Sequence, residues 1–171
     1  MTSALLLAVV FVPMAIEAQR AARNERAQRA SGGIEPPGDV YPIMQAAYPG
    51  AFLAMMAEGA VRGGAPVSAV AIGAVVFALA KALKWWAILA LGQAWTFRVI
   101  VVPQAPLVVS GPYRLMRHPN YVGVIAELVG VALMTGAWIA GPITTAGFVA
   151  LIVQRIQIET RALARVRRPD L

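Results

Sequence analysis

Residues 111–138 read GPYRLMRHPNYVGVIAELVGVALMTGAW. The stretch opens with basic, aromatic and amide side chains, including the only histidine of the chain, and continues as an apolar segment with the length of a helix. Pro119 suits the first turn of that helix, because a helix start has no use for the amide hydrogen that proline lacks. We therefore predict a helix that begins near Pro119, with His118 at or next to its N-cap.

The composition around this stretch is that of an integral membrane protein. Hydrophobic residues make up 59% of the 171-residue chain and charged residues only 13%, which is too apolar for a soluble domain. The absence of cysteine excludes a disulfide framework, a thiolate nucleophile and a cysteine metal site. The formal charge of +7 lies beside apolar segments without interleaved exposed aromatics, so we expect membrane lipid and no nucleic acid as a partner.

Five apolar stretches approach the roughly 20 residues that cross a bilayer. They predict an all-α integral membrane protein with five transmembrane helices, at residues 2–17, 42–60, 66–86, 120–138 and 139–157. Gly136, Gly141 and Pro142 mark a tight turn, so the last two helices form a helical hairpin. We expect one domain over residues 1–171, with a cytoplasmic connector at 87–119.

The basic residues predict the orientation. Fourteen of the fifteen fall on one side of these spans, and Arg62 is the exception. The positive-inside rule makes that side cytoplasmic, so the N-terminus lies outside and the C-terminus inside. The fourteen are Arg20, Arg23, Arg26, Arg29, Lys81, Lys84, Arg98, Arg114, Arg117, Arg155, Arg161, Arg165, Arg167 and Arg168.

The N-terminal segment leaves two alternatives open. Residues 4–12 have the apolar length of a signal peptide, but no basic residue precedes them, which favours a retained span. Residues 17–29 contain no glycine or proline, so the helix is expected to continue into the cytoplasm. That extension is either a solvated basic helix or a lid over the active site.

Candidate site residues follow the helix entrance at His118. The free amides and positive dipole end of a helix start favour an anion or a carboxylate. Asn120, Gly123 and Glu127 are spaced three and four apart and therefore share one face, where Gly123 would leave room for a ligand. A single histidine without a carboxylate cluster does not form a metal site, so no metal is expected.

Two further charged positions admit a structural and a functional interpretation. Glu127 lies about two turns inside the predicted span, where a carboxylate faces a partner or a cavity. It is either a protonated side chain bonded to a neighbouring helix or a functional group. Arg155 and Glu159 share a face of the last helix, as an ordinary ion pair or as groups directed at a ligand.

The chain resembles the isoprenylcysteine carboxyl methyltransferase family of membrane enzymes. The resemblance rests on Ser-Gly-Pro-Tyr at 110–113, Arg-His-Pro-Asn-Tyr-Val-Gly at 117–123 and Arg-Ile-Gln-Ile-Glu at 155–159. It looks closest to the bacterial branch that O-methylates alkylresorcinols and alkylpyrones, through Arg-Asn-Glu at 23–25, Tyr-Pro-Ile-Met at 41–44 and Trp-Thr-Phe-Arg-Val-Ile at 95–100. This branch is associated with type III polyketide synthases, which implies a pathway partner and a bacterial plasma membrane location.

The resemblance implies S-adenosylmethionine bound on the cytoplasmic side and a lipophilic methyl acceptor. Arg155 is implied to lie towards the acceptor, which is a phenol, an enol or an isoprenylcysteine-like carboxylate. Two positions depart from the pattern: Thr160 stands where the family often has a second acidic residue, and Tyr48 where the branch commonly has histidine. The implied cofactor contacts are Leu107, Val108, Tyr113, His118, Pro119, Asn120, Tyr121 and Glu159.

Methyl transfer needs alignment of donor and nucleophile, and a phenolic acceptor must also lose a proton. Glu127 is the candidate general base for that proton. One alternative is an NADPH-dependent membrane sterol-type reductase, which usually has more spans. Another is a non-catalytic scaffold or small transporter, although a transporter would more readily show internal repeats or helices broken at the bilayer midplane.

Overall fold

The computed structural model describes residues 3–167, which form five α-helices and two short 3-10 turns. Apart from one isolated antiparallel bridge between Ile34 and Val101, these residues contain no β-structure. Residues 1–2, where the predicted span 2–17 begins, and residues 168–171, which include Arg168, lie outside the described residues. The helices are α1 (Ser3–Ala30), α2 (Tyr41–Val61), α3 (Val67–Leu91), α4 (Pro119–Thr135) and α5 (Ala140–Arg167).

The all-helical prediction is confirmed, and several bounds are corrected. Helix α3 continues to Leu91 instead of ending at 86, because residues 87–91 are apolar helix formers, and the connector begins at Gly92. Helix α4 ends at Thr135 instead of 138, because Gly136 adopts a left-handed conformation and caps it. Helix α1 continues through residues 17–29 as predicted.

Two segments are long and apolar enough to cross a membrane, Ala4–Ala30 and Val67–Ala94. Helix α4 is apolar but shorter, at 17 residues. The five-span topology therefore stays a prediction.

The chain divides into two compact units, which are described separately. Unit 1 comprises Met1–Pro42, Leu91–Leu107 and Val153–Leu171, and unit 2 comprises Ile43–Ala90 and Val108–Ile152.

In unit 2, glycines bring α3 and α4 close together. A Cβ atom at Gly73 would lie 2.6 Å from the carbonyl oxygen of Gly130, and one at Gly123 would lie 3.0 Å from Cβ of Lys84. The expectation that Gly123 leaves room for a ligand is therefore wrong, because α3 fills that space. Close approach of small residues is a common way to pack apolar helices, and here it brings Lys84 of α3 beside α4.

Helix α2 is tied to the α4–α5 turn through Glu58. Its carboxylate accepts hydrogen bonds from the backbone amides of Ile139 (3.1 Å) and Ala140 (2.6 Å). These amides belong to the start of α5, where the chain offers no acceptor of its own. Arg62 pairs with the same carboxylate at 2.6 Å.

In unit 1, the polar face of α1 binds the connector that follows α3. Asn24 donates through Nδ2 to the carbonyl oxygens of Gly92 (2.9 Å) and Trp95 (2.7 Å). Gln28 donates to the carbonyl oxygen of Gln93 at 2.9 Å. The predicted extension of α1 therefore holds the connector, while its role as a lid stays a prediction.

Candidate functional site

The predicted site residues are divided between the two units. Leu107, Arg155 and Glu159 lie in unit 1. Unit 2 contains the other seven, which are Val108, Tyr113, His118, Pro119, Asn120, Tyr121 and Glu127.

The entrance of α4 has the predicted local geometry. His118 is the N-cap residue and Pro119 occupies the first turn. No side chain of the cap bonds to the free amides of that turn. The imidazole of His118 stacks on the ring of Tyr121 with 5.5 Å between ring centroids and 26° between the planes. The structure thus brings together two of the residues that the resemblance assigned to the cofactor.

The turn before α4 is fixed by packing against α3. Gly111 begins the 3-10 turn Gly111–Arg114 with a φ of 58°. A Cβ atom there would lie 2.8 Å from Cβ of Ala90 and 3.2 Å from Nε1 of Trp86. Pro112 is buried and Tyr113 half-buried, so Tyr113 is presented from an anchored turn.

Leu107 and Val108 precede this turn in chain without regular secondary structure. The side chain of Leu107 is 48% exposed, and Val108 is half-buried. Their expected contribution is a backbone one, which requires no particular side-chain contact.

Glu127 is the centre of a buried polar cluster in unit 2. Its carboxylate lies 3.0 Å from Nζ of Lys81 and 3.5 Å from Nζ of Lys84. The hydroxyl of Tyr48 donates to Oε2 at 2.5 Å, and Nζ of Lys84 lies 5.2 Å from the centroid of the Tyr48 ring. The side chain of Glu127 is 1% exposed and that of Lys84 is 3% exposed. We call these four residues the Glu127 cluster.

The cluster corrects the interpretation of the two lysines. The sequence analysis used them as positive charges that predict the topology, whereas in α3 both lie close to the carboxylate of Glu127. Two ammonium groups compensate a carboxylate in a low-dielectric interior, where an isolated charge would be very costly. Glu127 is thus bonded to neighbouring helices, as one of its two interpretations expected, and a functional role for it stays a prediction.

One oxygen of Glu127 keeps hydrogen-bonding capacity. Oε2 accepts from Tyr48, whereas Oε1 is buried and has no hydrogen-bond partner among the described residues. Lys84 approaches Oε1 only to 3.5 Å, an ion-pair distance. A buried carboxylate oxygen without a donor is uncommon and can accept a hydrogen bond from a ligand.

Arg155 forms an ion pair in unit 1 with a residue that the sequence analysis did not consider. Its Nη1 lies 3.2 Å from Oδ1 of Asp39, and the two side chains are 7% and 4% exposed. Asp39 also accepts hydrogen bonds from the backbone amides of Tyr41 (3.1 Å) and Val99 (2.9 Å). Glu159 lies one turn further along α5 and is half-buried.

A second charged network in unit 1 surrounds Glu35. It receives hydrogen bonds from Arg98 at 2.7 Å and from Arg29 at 2.5 Å. Partial burial raises the pKa of Glu35, but the hydrogen bonds from Arg98 and Arg29 outweigh it, so the pKa lies below its ordinary value. The network joins the end of α1 to the loop at 31–40 and to the connector.

The sequence contained a signal for the lysine partners of Glu127, which the sequence analysis did not identify. Lys81 and Lys84 sit in an apolar helix, where ionisable side chains commonly pair with one another, and Glu127 was the obvious partner in the next helix. Asp39, Asn24 and Gln28 carried no comparable signal, because all of their described partners except the amide of Tyr41 lie 60 to 116 residues away in the chain.

Comparisons with known proteins identify the family. The profile of the isoprenylcysteine carboxyl methyltransferase (ICMT) family matches residues 71–165, which include both the α4 entrance and the Arg155–Glu159 segment. The chain is 32% identical to the uncharacterized protein YpbQ of Bacillus subtilis (strain 168), over 93% of this chain and 95% of that protein. It is 25% identical to an uncharacterized protein of Haemophilus influenzae, over 96% of this chain and 94% of that protein.

A shorter match connects the chain to a plant protein with a described activity. It is 29% identical over 83 residues to the probable protein-S-isoprenylcysteine O-methyltransferase of Oryza sativa subsp. indica, covering 47% of this chain and 41% of that protein. No solved structure matches the chain. The family and this relative point to a methyltransferase. The chain belongs to the isoprenylcysteine carboxyl methyltransferase family of membrane proteins.

Proposed function

We propose that this protein is an S-adenosylmethionine-dependent O-methyltransferase that acts on a lipophilic acceptor at the membrane. The family match over residues 71–165 carries the proposal, because it includes the segments that hold the predicted cofactor and acceptor residues. The acceptor is proposed to be an alkylresorcinol-like or alkylpyrone-like phenol or enol, supplied by a type III polyketide synthase. An isoprenylcysteine-like carboxylate is the second acceptor class, favoured by the name of the rice relative.

The entrance of α4 suits the polar cofactor. S-adenosylmethionine carries a carboxylate, and the positive end of a helix attracts one. The stacked rings of His118 and Tyr121 offer a flat surface at the same entrance. Val108, Tyr113, Pro119 and Asn120 complete the proposed contacts in unit 2, and the family pattern adds Leu107 and Glu159 of unit 1.

The Glu127 cluster suits a protonated acceptor. A phenol or enol can donate to the unsatisfied Oε1 of Glu127, whereas a carboxylate acceptor brings no proton and would face a like charge. Glu127 lies nine residues beyond His118 on α4, about 13 Å along the helix axis, deeper in the apolar segment.

In the proposed reaction, the acceptor hydroxyl gives its proton to Glu127 as its oxygen attacks the methyl carbon. The bond from that carbon to the sulfonium sulfur breaks, and the sulfur keeps the electron pair. The products are a methyl ether and neutral S-adenosylhomocysteine. No metal is required, since alignment and proton removal account for the chemistry.

Calorimetric titration of the detergent-purified protein with S-adenosylmethionine and S-adenosylhomocysteine tests the cofactor. We expect saturable binding that is lost in His118→Ala. A folded wild-type protein that binds neither compound would overturn the proposal and favour the reductase or scaffold interpretation.

Transfer of a labelled methyl group tests the acceptor. We expect product with alkylresorcinols or alkylpyrones, and a loss of about 100-fold or more in Glu127→Gln with cofactor affinity retained. Glu58→Gln is the matched control, because that carboxylate binds backbone amides in the same unit. Turnover of farnesylcysteine alone, or full activity of Glu127→Gln, would remove Glu127 from the role of base.

The proposed topology has the N-terminus outside and the C-terminus and cofactor site in the cytoplasm. Because the chain contains no cysteine, single cysteines can report on each side. Arg62→Cys should react with an impermeant maleimide added outside intact cells, and Arg117→Cys should react only after permeabilisation. The reverse pattern would invert the topology.

A further inference from the structure

We propose that Asp39 is a positioning residue that fixes the guanidinium of Arg155 for the methyl acceptor. The inference rests on the proposed function, in which Arg155 faces the acceptor. Asp39 itself is not proposed to touch the acceptor or the cofactor, and it acts through Arg155.

The carboxylate of Asp39 is held by the main chain on both of its oxygens. Oδ1 accepts from the amide of Tyr41, at the start of α2, and Oδ2 accepts from the amide of Val99, in the connector. These two segments are 58 residues apart in the chain. The position of the carboxylate is thus set by the backbone and does not depend on a flexible partner.

Arg155 donates a hydrogen bond to this carboxylate. Its Nη1 donates to Oδ1 of Asp39 at 3.2 Å. The guanidinium is a rigid planar fork, so a bond to one nitrogen restricts the direction of the whole group. An arginine that aligns a reacting group gains from such restriction, because a displacement of about 1 Å can cost about 100-fold in rate.

Burial distinguishes this pair from the ion pairs that Arg29 and Arg98 form in unit 1. The side chains of Asp39 and Arg155 are 4% and 7% exposed, whereas those of Arg29 and Arg98 are 43% and 32% exposed. Exposed pairs hold their geometry weakly, since water competes for both partners. A buried pair anchored on two amides has one arrangement, which suits a group whose direction matters.

A double-mutant cycle over Asp39→Asn, Arg155→Gln and the combined variant tests the coupling. Single-turnover methyl transfer, the KM for the acceptor and the affinity for S-adenosylhomocysteine are measured for each. We expect Asp39→Asn to lower the transfer rate by about 10-fold to 100-fold with cofactor affinity within about twofold of wild type. The combined variant should be no slower than Arg155→Gln alone, because Asp39 has no effect once Arg155 is absent.

Two controls separate positioning from folding. Glu35→Gln removes another arginine-bound carboxylate of unit 1 and should leave the transfer rate unchanged. Arg155→Lys keeps the charge beside Asp39 but loses the planar fork, and it should be slowed about as much as Asp39→Asn. Additive effects in the cycle, or wild-type transfer by Asp39→Asn, would overturn the proposal.

Side-chain NMR of Arg155 tests the geometry without methyl transfer. Slow rotation of the guanidinium in the wild type, made fast by Asp39→Asn but not by Glu35→Gln, is the expected result; equal rotation in all three overturns the proposal. If the wild type shows this restriction but methylates no acceptor, the proposed function fails while the fixed geometry of Arg155 stands.

Discussion

Buried polar side chains bind different partners in the two units. In unit 1, Asn24 and Gln28 donate three hydrogen bonds to main-chain carbonyl oxygens, and Asp39 accepts two from main-chain amides. In unit 2, the carboxylate of Glu127 is surrounded by the side chains of Lys81, Lys84 and Tyr48. Main-chain partners cannot be exchanged, whereas side-chain partners can rotate, and one oxygen of Glu127 still lacks a donor.

Carboxylates bound by main-chain amides and carboxylates bound by side chains suit different roles. A carboxylate saturated by amides stabilises a fold and positions its neighbours. The proposed function gives Glu127 a different role, in which the oxygen that lacks a donor takes the proton of the acceptor. Glu58 supports this distinction within unit 2, because it binds the amides of Ile139 and Ala140 and so resembles Asp39 more than Glu127.

The largest expected effect comes from removing the centre of the Glu127 cluster. Glu127→Leu leaves Lys81 and Lys84 close together without their shared carboxylate, and breaking a buried ion pair costs about 3–5 kcal/mol. We expect a loss of free energy of unfolding of that size in detergent micelles. Adding Lys84→Met should restore part of it, since one buried charge is then removed. A stable Glu127→Leu protein, or further loss in the double variant, would contradict the described compensation.

The second-largest expected loss of stability comes from breaking the main-chain contacts of Asn24 in unit 1. Asn24→Asp replaces a donor by a carboxylate oxygen that faces the carbonyl oxygens of Gly92 and Trp95. One buried and one partly buried hydrogen bond are lost, and a carboxylate oxygen meets carbonyl oxygens, so we expect a loss of about 2–3 kcal/mol in the free energy of unfolding. Asn24→Ala, which only removes the donor, should cost less. Equal stability of Asn24→Asp and wild type would mean that α1 does not hold the connector in this way.

Local features of the fold could be predicted from the sequence. The start of α4 at Pro119, the capping position of His118 and the extension of α1 depend on residues that are neighbours in the chain. The pairing of Arg155 with Asp39 crosses 116 residues and that of Tyr48 with Glu127 crosses 79. Such pairs depend on how helices pack, which local spacing does not specify.

Lys81 and Lys84 show how two sequence rules can compete. Basic residues near a span end fit the positive-inside rule, and ionisable residues within a span fit internal pairing. The packing of α3 against α4 decides between them, because it places both lysines beside Glu127. The predicted span 66–86 also contained both lysines, but their spacing alone did not show which residue of another helix they face.

A smaller effect sharpens the role of Tyr48 in the cluster. Tyr48→Phe removes the hydroxyl that donates to Oε2 of Glu127 and keeps the ring contacts with Phe52 and Phe148. A hydrogen bond to a charged group contributes about 1.5–3 kcal/mol, and we expect the lower value because Lys81 also contacts Oε2. In a Glu127→Leu background the same substitution should have little further effect on the free energy of unfolding. An undiminished loss there would show that Tyr48 acts elsewhere.

The smallest effect concerns Glu35 of unit 1. Like Glu127 it binds two basic side chains, but it is in partial contact with water. Its side chain is 23% exposed, and its pKa is held below the ordinary value of 4.5 by Arg98 and Arg29. A carboxyl group whose pKa is lower in the folded state stabilises the fold above its unfolded pKa, and the stabilisation is lost as the pH falls through the folded value. The difference in free energy of unfolding between wild type and Glu35→Gln should therefore be constant well above the ordinary pKa of 4.5, decrease as the pH falls below it, and disappear only below the lowered folded value. Its size should be under about 1 kcal/mol, because solvent screens such pairs. Thermal unfolding of both proteins across this pH range measures the difference, and added salt should reduce it.

A difference that persists at low pH would mean that Glu35 contributes through packing and not through charge. The comparison between exposed and buried carboxylates would then depend on Glu127 and Asp39 alone.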